Sequence, residues 1–170
     1  MSIAANKGLQ PTGFPLPLQT GAWAQALYKG LAMKNIEIFD CYVAEIFAKL
    51  YEDFPVPATL DLTWLDTKAI SDEDEHEEIF HKISVYEHTV RWLMSAGYIN
   101  VENINSQRAY GAVLSAKGLE ILKMPVSLQQ PKESLGEFIM DAMKAGAKES
   151  AASQAKLAIT RGLALLSQYV

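Results

Sequence analysis

The sequence predicts a mostly helical α+β fold, and three observations lead there. Ile36–Asp53 and Ile79–Met94 each repeat apolar residues at three- and four-residue steps, the signature of a helix with one buried face. After Gly97 the period changes, with Tyr98 and Ile99 opening an extended stretch and Ala112–Leu114 placed to return antiparallel to it. The start differs from both, because Pro11, Pro15 and Pro17 remove backbone donors and fix φ.

Taken in order, residues 1–20 read as an extended arm, followed by a short helix over 22–33 carried by Trp23, Ala26, Leu27 and Leu31 and weakened by Gly30. The next helix takes Asn35 as N-cap, repeats Ile36, Phe39, Val43, Ile46, Phe47 and Leu50 at three- and four-residue steps, and stops at Pro55 and Pro57. Thr59–Thr63 alternates as a short strand, with Trp64 and Leu65 closing over the core. Ser71 is placed to cap a helix opening on the acidic run Asp72, Glu73, Asp74, Glu75, Glu77 and Glu78, where carboxylates favour the positive helix end. That helix continues through Ile79, Phe80, Ile83, Tyr86, Val90, Leu93 and Met94 to Gly97 as its C-cap. A polar, turn-rich Asn100–Arg108 makes a hairpin with the returning strand, and Ser115 caps a helix over Ala116–Lys123 that Pro125 ends. Ser134 and Glu137 form a capping box that starts a helix expected to run to Val170. The expected organisation is therefore 1–34 as arm and short helix, 35–125 as the main domain, 126–133 as linker and 134–170 as a C-terminal amphipathic helix.

W-L-M-S-A-G-Y-I at 92–99 and G-A-V-L-S-A-K-G-L-E-I-L at 111–122 resemble the winged-helix fold over about residues 36–124. The first stretch is similar to the end of a third helix entering the wing. The second is similar to the returning strand and next helix, with Lys117 and Gly118 in an S/T-x-K-G turn. The resemblance implies a winged-helix-like core with a small β-hairpin wing, and it speaks to fold rather than activity.

Composition narrows the function. At 170 residues and 49% hydrophobic, the chain can bury about 70% of its unfolded surface. Fifteen Lys and Arg against twenty Asp and Glu give a net charge of −5, which makes a polyanion-coating role a poor fit. A DNA-reading winged helix presents a basic recognition helix, whereas this one opens on carboxylates and carries Lys82 and Arg91 as its fixed positive charges. Nucleic-acid contact would have to come from Lys82, Arg91, Arg108 and Lys117. Single Cys41 allows no internal disulfide, so a reducing, cytoplasmic location is expected. No run of about 18 residues is apolar enough to predict a membrane span, while contact with a membrane surface stays compatible with the terminal helix.

Chemistry-bearing residues are sparse. His81 and His88 are seven apart with Glu77 a turn earlier, but helical zinc sites use i, i+4 histidines or added cysteines, so no metal is expected. Cys41 sits among apolar helix residues as a small hydrophobe, and the 72–78 carboxylates read as a solvated helix start. No phosphate-binding or nucleophile motif occurs, so neither catalysis nor a cofactor is expected. The terminal segment offers Ala142, Gly146 and Ser150 at four-residue spacing, a track of small residues admitting close helix approach. From Lys132 onward it carries five basic against four acidic residues. It either packs on its own domain or mediates association with a protein partner or a second copy. The expected function is a non-catalytic interaction or regulatory protein, with a DNA-binding regulator dimerised by the terminal helix as the alternative.

Overall fold

A computed structural model describes residues 34–61, 76–127 and 130–166, which belong to the unit beginning at Lys34. The expected arm, the 22–33 helix, Trp64, Leu65, Ser71 and the acidic run through Glu75 lie outside the described residues.

Helix α1 spans Asn35–Asp53, and its cap is Lys34 rather than Asn35. Asn35 is committed elsewhere, its Oδ1 accepting from His81 Nε2 at 3.0 Å, while the Lys34 amide donates to Glu37 Oε2 at 3.0 Å. Strand β1 follows over Ala58–Asp61 and helix α2 over His76–Ser95. The end of α2 is a Schellman turn: Tyr98 N–H donates to Leu93 O (2.9 Å) and Gly97 N–H to Met94 O (3.0 Å), with Gly97 at φ +75°. Strands β2 (Ile99–Asn100), β3 (Asn103–Ile104) and β4 (Arg108–Leu114) complete the sheet. β4 is central and antiparallel to its neighbours, pairing Leu60 with Ala109, Ile99 with Leu114 and Asn103 with Tyr110. The hairpin expected between Ile99 and Leu114 is thus present. Asn105 Oδ1 closes its tip by accepting from the amides of Gln107 and Arg108, both at 2.8 Å.

Helix α3 covers Ala116–Leu122 under the expected cap, with Ser115 Oγ accepting from Gly118 N–H. The stretch read as a polar linker instead contains a hairpin, β5 (Pro125–Ser127) with β6 (Gln130–Ser134). Its polar composition hides this, because one support comes from far along the chain: Arg161 donates to Pro125 O at 2.7 Å and to Val126 O at 3.3 Å.

The terminal segment is two helices rather than one, α4 (Leu135–Lys144) and α5 (Lys148–Leu166). The expected capping box starts α4, with Ser134 Oγ accepting from Glu137 N–H and Glu137 Oε2 from Ser134 N–H. A second Schellman turn ends it, Ala147 N–H donating to Ala142 O (2.8 Å) and Gly146 N–H to Met143 O (3.1 Å). Gly146 takes φ +75°, a left-handed conformation that a Cβ would penalise.

Every described helix contributes to one core. Tyr42, Val43, Ile46, Phe47 and Leu50 of α1 meet Val90 and Leu93 of α2, Leu114 of β4, Ile121 of α3 and Ile139 of α4. The small-residue face of α5 is Ala151, Ala155 and Ala158, all fully buried, so this helix packs on its own domain.

Tyr98 ties these layers together. Its buried hydroxyl donates to Ile159 O of α5 at 3.1 Å, and a Cβ at Gly162 would collide with the same phenol. Tyr98→Phe is expected to cost about 1 kcal/mol in urea unfolding with an unchanged m-value. Gly162→Ala is expected to cost about 1–3 kcal/mol through overpacking, with a matching fall in melting temperature.

Burial, reinforced by the Glu45 carboxylate, holds the Tyr86 phenol far above the ordinary tyrosine range, and burial also raises that of Tyr98. The folded state therefore favours neutral phenols, and this contribution is complete below the unfolded pKa of about 10 and is lost as pH rises past it. The urea midpoint should fall between about pH 9 and pH 11, and Tyr86→Phe should make the fall shallower.

Candidate interaction groove

Between α1 and the α4–α5 corner lies an open groove of about 390 Å³. Helix α1 contributes Cys41, Glu45, Ala48 and Glu52 at helical spacing, with Tyr42 and Lys49 beside them. The eleven-residue span of that stripe corresponds to about 16 Å. Met140, Met143 and Lys144 of α4 form the opposite wall, and Lys148, the first residue of α5, closes one end. Gly146 sets this geometry by turning the chain, so Lys144 and Lys148 reach the groove from two different helices.

The groove has small or adaptable apolar side chains and a charged rim of three lysines and two glutamates. Lys144 Nζ lies 2.8 Å from Glu52 Oε1, and this hydrogen bond raises the pKa of the ammonium. Lys49 pairs with Asp53 at 3.2 Å. Burial pushes the Cys41 thiol upward, with Asp40 adding to the shift, which leaves little thiolate for nucleophilic work near neutrality.

The expected association residues are not brought together as one helical track. Ala142 is buried in α4, Gly146 is exposed in the turn, and Ser150 is exposed on α5. The helix break between them changes their phase. What the sequence reading missed is the wall made by Met140, Met143 and Lys144. Its signal was present, because Gly146 after a helix ending in lysine is a stop, and a stop there separates Met143 from everything beyond it.

The four residues considered for nucleic acid are each engaged within the fold. Lys82 is 9% exposed. Arg91 donates to Glu87 Oε1 from Nε (3.0 Å) and Nη2 (2.8 Å), and Arg108 lies 3.4 Å from Asp61. Lys117 donates to Ala96 O at 2.8 Å and sits 4.1 Å from the centre of the Tyr98 ring, with burial lowering its pKa. His81 bonds Asn35, and His88 Nδ1 donates to Ser84 O at 2.7 Å. Among the described residues no three His, Cys, Asp or Glu side chains gather as a metal set, and no helix is long and apolar enough to cross a membrane.

No protein-family model, curated protein or solved structure matches the chain.

The raised thiol makes a direct expectation. Labelling of Cys41 by a soluble thiol reagent should be slow at neutral pH and keep accelerating beyond the pH where an exposed cysteine levels off, as read by the rate of mass gain. A plateau at the position of free cysteine would contradict it.

Proposed function

We propose that this chain is a non-catalytic interaction module with a winged-helix-like core, binding a protein partner in the groove between α1 and α4. Support for the core comes from the succession α1, β1, α2, β2, β4, in which β1 and β2 flank β4. That is the strand arrangement expected of a wing and its supporting strand. The C-terminal helices then act as a buttress, and Gly146, one of the expected association residues, serves by turning Lys144 and Lys148 toward the partner. Within this reading the chain works in a reducing, cytoplasmic setting where Cys41 stays free.

The observation that carries the reading is the groove itself, with its apolar lining and rim of paired charges. A thiol raised by burial and by the Asp40 carboxylate favours binding over group transfer. The net charge of −5, with Lys82 buried and Lys117 donating to Ala96 O, favours protein over duplex DNA, since few cations are left for phosphate contacts.

A photo-cross-linking residue placed at Lys49 of the full chain tests this in its native cells. The expected result is a defined protein adduct that disappears when Met143→Glu is added, with the melting temperature of that variant checked in parallel. An adduct indifferent to Met143→Glu would overturn the site. Binding to a short DNA duplex that weakens steeply with salt would favour the DNA-binding regulator instead.

A further inference from the structure

We draw no further inference here: the strongest candidate, the open groove between α1 and α4, belongs to the site already described, and with Lys49 paired to Asp53 and Lys144 to Glu52 nothing in the structure shows what covers it.

Discussion

The fold depends on where Tyr98 is held. Its ring is fully buried, stacked 5.9 Å from Trp92, tilted 6.0 Å from Phe47 and covered by the ammonium of Lys117. Its backbone amide closes α2, its carbonyl accepts from Ser115 at the start of α3, and its hydroxyl reaches α5. One residue therefore joins the end of α2, the start of α3 and the body of α5 to the first strand of the wing. Two glycines are explained by it, since a Cβ at Gly118 would strike the Tyr98 carbonyl and one at Gly162 its phenol. Losing such a ring costs about 3–5 kcal/mol in typical cores, a large part of the 5–15 kcal/mol that holds an ordinary domain together.

The groove is a product of the same packing. Helix α1 is fixed from behind by the sheet and α2, including the edge-on contact of Tyr42 with Tyr86 at 5.1 Å. Helix α4 crosses it closely near Tyr51, whose ring leaves no room for a Cβ at Gly136. Lys144 at the other end of α4 reaches Glu52 of α1, and the turn at Gly146 then carries the chain into α5. Packing of this kind orders the groove in advance, which suits the proposed role in recognition.

Much of this was legible in the sequence, and the exceptions have physical causes. The two long amphipathic helices, the Gly97–Tyr98 turn, the hairpin and the caps at Ser115 and Ser134 all rest on interactions between near neighbours. The stop at Gly146 was signalled by a glycine after a lysine but obscured by spacing: Ala142, Gly146 and Ser150 keep a four-residue interval in sequence whether or not the helix continues. The β5–β6 hairpin was hidden because Arg161 supports it from 36 residues away. Lys117 looked like a surface charge because no local pattern reveals the ring beneath it. The groove needs α1 and α4 side by side, and no spacing within either helix encodes that.

The burial of the α5 alanines against the core also governs how the chain acquires its shape during synthesis. Helix α1 is made early, yet part of the wall that shields it begins at Lys148, after the 94 residues from Phe54 to Ala147. At ribosomal speeds of about 5–20 residues per second, that interval lasts roughly 5–20 s. Long-range closure of this kind is slow compared with local helix formation. The face of α1 that packs against α5 is thus completed only by residues 148–166, so closure of the core joins the first and last described helices of the chain.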